Sequence, residues 1–435
     1  MMQRIIFTTI ALLLLAASAC DKPQKTNEVK DGIVVQKEAL KSDEAKGENL
    51  GESPVLGNNA LSDIDWVDAN NRFAIESIKL LQDEANLVFS PYSFERALGM
   101  TAVGARGETR AQMLAALGFK DDGPNIDEVG GQIENAVLSR EAENFVLRIA
   151  NKIYVEKSFK LLDEYSAVLR EHYRSAAKQL DFKNEAEPSR LAINDWVSQN
   201  TNQRINDLLP PDSINDLTRL VLVNALYFKA AWQHAFNSDL NKELIFRGIN
   251  GETKVTGMKT TKSFSAFKAE NFSALLLPYA PHGEFAMLIM LPHSDDGVDA
   301  LTASLSPELI REILHASKEY NVNLTLPKFK QENSVKAKEL FRSLGMKRAF
   351  TLDADFAGID KDSSLFVDNI YHKAFIEIDE NGTEAAAATA VVMMKRSMIP
   401  RPKEELDFTV DHPFLFAIVH LDTQTMLFLG RIKAL

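Results

Sequence analysis

Between Glu380 and Met394 the residues alternate in a way that suits one structural fate: a loop built to become a strand. Taken singly, Glu384-Ala-Ala-Ala-Ala388 is good helix sequence, because alanine and glutamate lose little freedom in a helix. Yet Gly382 precedes it, β-branched Thr389, Val391 and Val392 follow, and the alternate positions Thr383, Ala385, Ala387, Thr389, Val391 and Met393 are all small or apolar. That is a period-2 face with no bulky side chain at its leading end. Such a segment slides between two existing strands without obstruction, which a leucine or arginine at the early positions would prevent.

Further motifs stand on either side. Phe408-Thr-Val-Asp-His-Pro-Phe-Leu-Phe-Ala-Ile418 lies downstream; Asn86-Leu-Val-Phe-Ser-Pro-Tyr-Ser93, Leu222-Val-Asn-Ala-Leu-Tyr-Phe-Lys-Ala-Ala-Trp232 and Leu326-Pro-Lys-Phe329 lie upstream. With the hinge-like Glu380-Asn-Gly-Thr-Glu384 and its alanines, they make the chain resemble the serpins, the serine protease inhibitor family, from about Asp63 to the C-terminus. The resemblance implies an α+β fold with several β-sheets, a large central mixed sheet among them, about eight or nine surrounding helices, and an exposed reactive-centre loop over about residues 380–406.

It also implies roles for particular residues. Glu380, Gly382, Thr383, Glu384, Ala385, Ala386, Ala387 and Ala388 would be the hinge of the loop. Ser90, Ser93, Asn224 and His372 would form a polar cluster, the shutter, over which the central sheet parts. Trp232, Lys328 and Glu380 would hold the sheet closed where the loop goes in, the breach. Counting the hinge glutamate as first, the attacked bond in inhibitory members usually follows the seventeenth residue, so Arg396-Ser397 is the expected reactive bond. The stretch between Arg396 and Pro413 is longer than in many relatives, with Pro400 and Pro402 stiffening it, which leaves Lys395 and Met394 open as the true bait.

Arg396 would suit the acidic pocket of a trypsin-like serine protease. Met394 would suit elastase-like or subtilisin-like enzymes, and some relatives trap papain-like cysteine proteases. A non-inhibitory serpin acting as a binding or chaperone-like protein is the alternative, although such members tend to lose the small-residue hinge. An envelope lipoprotein that binds small ligands would leave the hinge without a purpose. A heparin-type activator is not expected, because residues 121–145 hold seven acidic side chains against the single base Arg140.

The N-terminus reads separately. Arg4, the apolar run Ile5–Leu15 and Ala16-Ala-Ser-Ala-Cys20 have the charge, length and small-residue ending of a secretion signal, and the run is too short for a spanning helix. Cys20 is the only cysteine, and its place resembles the lipobox of bacterial lipoproteins, where the cysteine is lipidated after cleavage; an ordinary signal peptide would also be cut before it. The expected arrangement is a signal peptide over residues 1–19, a lipidated Cys20 with a flexible linker over 20–60, and a single serpin domain over 61–435. Residues 21–60 lack aromatics and mix Lys with Glu and Asp, which is linker composition. Acyl chains would anchor the protein on a bacterial cell envelope, outside the cytoplasm; the alternative is a secreted protein. A monomer is expected, and with Cys20 lipidated the fold would have no disulfide.

Within the body, Trp66, Phe73, Ile75, Ile78, Leu80 and Leu81 recur at helical spacing, and Ala97–Leu117 reads as helices interrupted at Gly104 and Gly107. Strands are expected over Phe145–Val155, Leu220–Phe228, Ala274–Pro278, Phe285–Leu291, Val322–Phe329, Leu365–Ile378 and Leu415–Leu421. Their irregular alternation with helices argues for α+β rather than a doubly wound or repeat fold.

Catalytic signatures are missing. No His-Glu-x-x-His helix, Gly-x-Ser-x-Gly elbow, phosphate-binding loop or cysteine pair occurs, and no two histidines stand four apart. No enzyme activity, metal or cofactor is therefore expected. A formal charge of −12 without a basic run argues against nucleic acid as a partner.

Overall fold

The computed structural model describes residues 29–30, 33–34, 60–82, 84–119, 126–138, 145–361, 365–383 and 403–435. The first elements are two short strands, β1 (Val29–Lys30) and β2 (Ile33–Val34), in which Val29 pairs with Val34 and Lys30 with Ile33. The reading of residues 20–60 as a bare linker did not include this pair of strands.

The body begins with α1 (Ala60–Leu80), β3 (Leu87–Phe89), α2 (Pro91–Gly104), α3 (Gly107–Ala116), α4 (Ile126–Leu138), β4 (Phe145–Glu156), α5 (Asp163–Tyr173), β5 (Lys178–Leu180), α6 (Ala186–Asn200) and β6 (Leu220–Ala231). Next come β7 (Lys242–Gly248), β8 (Gly251–Lys268), β9 (Phe272–Pro278), β10 (Phe285–Pro292), α7 (Val298–Ser304), α8 (Pro307–Ala316), β11 (Lys318–Pro327), β12 (Phe329–Lys336) and α9 (Ala337–Ser343). The chain finishes with β13 (Asn369–Ile378), β14 (Gly382–Thr383), β15 (Glu405–Thr409), β16 (Phe414–His420) and β17 (Thr425–Ile432).

Hydrogen bonding groups the described strands into two sheets. The central one has 8 strands in the order β1-β2-β4-β6-β14-β13-β12, with β5 beside β4; the other has 9, from β15 through β11, β8, β9, β10, β16 and β17 to β3, with β7 beside β8. The central sheet is mixed, because β6 runs parallel to β13 and antiparallel to β4. β6 is apolar along almost its whole length and buried on both faces, as a strand sandwiched between layers must be. One face packs on α2, the other on α6 and the connection that follows it.

α2 begins sharply because Ser90 caps it, its Oγ accepting the Ser93 N–H at 3.0 Å, with Pro91 in the first turn. It stops at Gly104, where a side chain would meet the Ile359 Cγ1 at 2.1 Å. The interruption between Gly104 and Gly107 separates α2 from α3 as the sequence predicts.

Two expected strands differ from the structure. Val322–Phe329 is not one strand: β11 ends at Pro327, β12 starts at Phe329, and the two lie in different sheets. Lys328 makes the corner, its N–H donating to the Thr256 carbonyl at 2.9 Å. The strand expected from Leu365 starts only at Asn369, since Leu365 and Val367 are buried in the helical core cluster rather than paired in the sheet.

Candidate functional site

The central sheet is forked. β6 and β13 pair directly from Val221 with Asn369 to Leu226 with Ala374. Beyond that point β14 lies between them, Gly382 pairing with Ala231 and Thr383 with both Ala230 and Ile378. The predicted hinge residues Gly382 and Thr383 are thus already strand residues at the open end of the seam.

The turn into β14 is tightly fixed. The Asp379 carboxylate accepts the N–H groups of Asn381 at 2.7 Å and Gly382 at 3.2 Å. Gly382 has φ 153°, and a Cβ there would lie 2.0 Å from the Ala230 carbonyl oxygen, so only glycine fits between the strands. Thr383 is 1% exposed, with its Oγ1 2.6 Å from the Tyr279 hydroxyl. Tyr279 stacks on Trp232 at 4.6 Å between ring centroids, and the Trp232 indole N–H donates to the Asp379 carbonyl at 2.9 Å.

Glu380 closes this end. Its carboxylate lies 2.8 Å from the Lys328 ammonium and accepts a hydrogen bond from the Asn241 amide. Partial burial works against the charge, yet the hydrogen bonds from Lys328 and Asn241 win and hold the carboxyl below its usual range. The structure therefore brings together all three predicted breach residues, Trp232, Lys328 and Glu380. Tyr279, Asn241 and Asp379 are further members that the sequence reading missed.

The four predicted shutter residues also meet, deep below the fork. Asn224 and His372 are register partners across β6 and β13. The His372 Nδ1 bonds to the Asn224 Oδ1, while its Nε2 accepts the Ser90 N–H at 3.1 Å. That second bond fixes the tautomer: Nε2 must be bare, so Nδ1 carries the proton and donates. Burial pushes the His372 pKa down to about 3, so the ring is neutral. A fifth member, Asn151, was not foreseen. Its Oδ1 accepts from Asn224 at 3.1 Å and Ser93 Oγ at 3.0 Å, and it is the register partner of Asn224 across β4 and β6. One row of polar side chains thus crosses β4, β6 and β13 and is tied to the start of α2.

The family model described as Serpin (serine protease inhibitor) matches residues 68–434. The chain belongs to the serpin family. An uncharacterized serpin-like protein of Thermococcus kodakarensis is 38% identical over 367 residues, 84% of each chain. The leukocyte elastase inhibitor of Bos taurus is 35% identical over 380 residues, covering 84% of this chain and 98% of that one. Among solved structures, Serpin48 of the insect Tenebrio molitor superposes with a TM-score of 0.74 at 30% identity, over 88% of this chain and all of its own. Protease inhibition is the general function of serpins, and target proteases are their general partners.

The remaining predicted residues of this serpin, namely Cys20, Glu384, Ala385, Ala386, Ala387, Ala388, Met394, Lys395, Arg396 and Ser397, lie outside the described residues. Among the described residues, no helix is long and apolar enough to cross a membrane and no group of three His, Cys, Asp or Glu is arranged to hold a metal.

Proposed function

We propose that this serpin is of the inhibitory type and traps a trypsin-like serine protease as a covalent acyl-enzyme. The observation that carries this reading is β14: a glycine and a buried threonine seated between β6 and β13, followed in the sequence by alternating small residues. Strand addition by a cleaved loop is an established serpin property. In this chain the first step of that addition needs no new gap, because the fork is already open at Thr383.

The protease serine attacks the Arg396 carbonyl carbon. An ester forms between serine Oγ and Arg396, the Arg396-Ser397 amide breaks, and the new amino group of Ser397 takes up a proton. Freed at one end, the loop continues β14 in its existing register. Each step adds ladder bonds to β6 and β13, and alternate small side chains are buried. At about 3.3 Å per residue, a strand from Thr383 to Lys395 spans roughly 40 Å and carries the tethered protease a comparable distance. The protease triad and oxyanion hole then lose their alignment, and hydrolysis of the ester stalls.

In the same reading, Cys20 carries lipid and the residues between it and β1 tether the domain outside the cytoplasm, on the bacterial cell envelope. The acidic segment 121–145 fits a protein that works without a heparin-type activator.

The test is to mix the purified protein with trypsin and look for an adduct that survives boiling in detergent. We expect one adduct with 1:1 stoichiometry, together with a released peptide whose first residue is Ser397. Fragments without an adduct would overturn the inhibitory reading; a peptide beginning at Arg396 or Lys395 would move the bait to Lys395 or Met394.

A further inference from the structure

The connection from α6 to β6 lies across the outer face of the central sheet. Its Ile205, Leu208, Leu209 and Ile214 are buried with Trp196 against β4 and β6. It leaves α6 through two consecutive non-glycine residues in the left-handed region, Asn202 at φ 55° and Gln203 at φ 60°, a conformation that glutamine adopts rarely. Thr201 holds this turn: its carbonyl accepts the Arg204 N–H at 3.0 Å and its Oγ1 the Ile205 N–H at 3.2 Å.

From this turn two side chains reach opposite prongs of the fork. Asn202 donates from Nδ2 to the Tyr227 hydroxyl at 3.4 Å, on β6. The Arg204 guanidinium stands over the Phe375 ring, 5.7 Å from its centroid, on β13. The last directly paired residues are Leu226 and Ala374. Tyr227 and Phe375 each come one residue later, where the two strands cease to pair. Carrying the β14 register forward three residues brings Ala386 between these same two side chains.

We propose that Asn202 and Arg204 strap the seam shut where the fork divides, and that Arg204 is a positioning residue setting how readily the loop passes Ala386. This rests on the loop-insertion reading above. A further strand between β6 and β13 separates them by one more strand spacing, about 4.8 Å. That displacement is larger than either contact tolerates, so the strap must release on at least one side before Ala387 can follow. Lys330 provides a built-in control. Its ammonium lies 5.0 Å from the same Phe375 ring, but it belongs to β12, on the same side of the seam, and moves with Phe375.

The experiment uses the full chain and the variants Arg204→Ala, Arg204→Lys, Asn202→Ala, Phe375→Leu and Lys330→Ala. Three quantities are read: the rate of association with trypsin, the fraction trapped as adduct, and the rate at which uncleaved protein, warmed below its melting temperature, converts to a form with raised unfolding resistance. Arg204→Ala should quicken conversion about two- to fivefold, as loss of one partly exposed cation–π contact implies, without changing association with trypsin or lowering the trapped fraction. Phe375→Leu should match it, the double variant should add nothing more, Asn202→Ala should act in the same direction, and Arg204→Lys should fall between. Lys330→Ala should behave as the parent. A trapping parent with an indifferent Arg204→Ala, or a Lys330→Ala that matches Arg204→Ala, overturns the strap alone. A parent that forms no adduct and gains no stability on cleavage overturns the loop-insertion reading, and the strap falls with it.

Discussion

The hydroxyls of Thr383 and Tyr279 are 2.6 Å apart inside the protein, so the start of the proposed hinge is bonded to the body in the intact chain. Thr383→Arg would force a long cation into a site that is 1% exposed. A buried unpaired charge is expelled rather than accommodated, so β14 should not form and the loop should be cut without being inserted. We expect the variant to behave as a trypsin substrate, and an undiminished yield of detergent-stable adduct would refute this.

Tyr279→Phe isolates the hydroxyl pair. The ring can still stack on Trp232, but Thr383 keeps a buried hydroxyl without its partner. We expect a loss of about 1–2 kcal/mol in the stability of the uncleaved form, measured by denaturant unfolding. An unchanged midpoint would mean that Thr383 finds another partner at no cost.

Acid should weaken the buried polar row through His372. Its folded pKa of about 3 lies below the ordinary value of 6.5, so between those values the unfolded chain binds a proton that the folded form refuses. Stability is therefore fully present above about pH 6.5 and falls as the pH drops toward 3, by about 2 kcal/mol at pH 5. Protonation would also set an Nε2 hydrogen against the Ser90 N–H. A His372→Gln variant should start less stable and lose less between pH 7 and 5; parallel curves for the two proteins would exclude His372 as the group responsible.

The ion pair of Lys328 and Glu380 is half in water, with the lysine side chain 39% exposed. Its contribution is correspondingly small. Lys328→Ala should lower the stability of the uncleaved form by less than about 1 kcal/mol, and the difference should shrink in high salt. Because the Glu380 pKa is lowered, the contribution is present above the ordinary glutamate value and is lost as the pH falls through the lowered one. A salt-independent loss would show that packing of the lysine stem, rather than charge, is at work.

Much of this arrangement is legible in the sequence because it is encoded locally. Gly382 and Thr383 announce a strand that needs small residues, and Asn224 stands out as the one amide in the apolar run Leu220–Phe228. Asn151 gives a similar signal as a polar residue within Phe145–Val155, but only the pairing of β4 with β6 reveals that it faces Asn224. Tyr279 was hidden for another reason. It follows β9, more than a hundred residues before the threonine it bonds, and no local pattern points across that distance. The long strand β8 was missed because its Lys, Thr and Ser residues cover a solvent-facing side and break the apolar pattern. The corner at Lys328 was lost within a continuous run, since two successive strands of different sheets look like one when both are extended.

The polar row Asn151-Asn224-His372 has a consequence for any strand that comes between β6 and β13. Driving Asn224 and His372 apart breaks their hydrogen bond and leaves two buried groups in want of a partner. Continued residue by residue, the β14 register brings Thr389 opposite both of them, on the inward face shared with Thr383. Its hydroxyl can give and accept at once, which makes it a replacement bridge carried in by the intruder itself. On our proposal, the lone polar residue among the alanines and valines is the key that relocks the middle of the widened sheet, and Thr389→Val should insert yet seal less firmly.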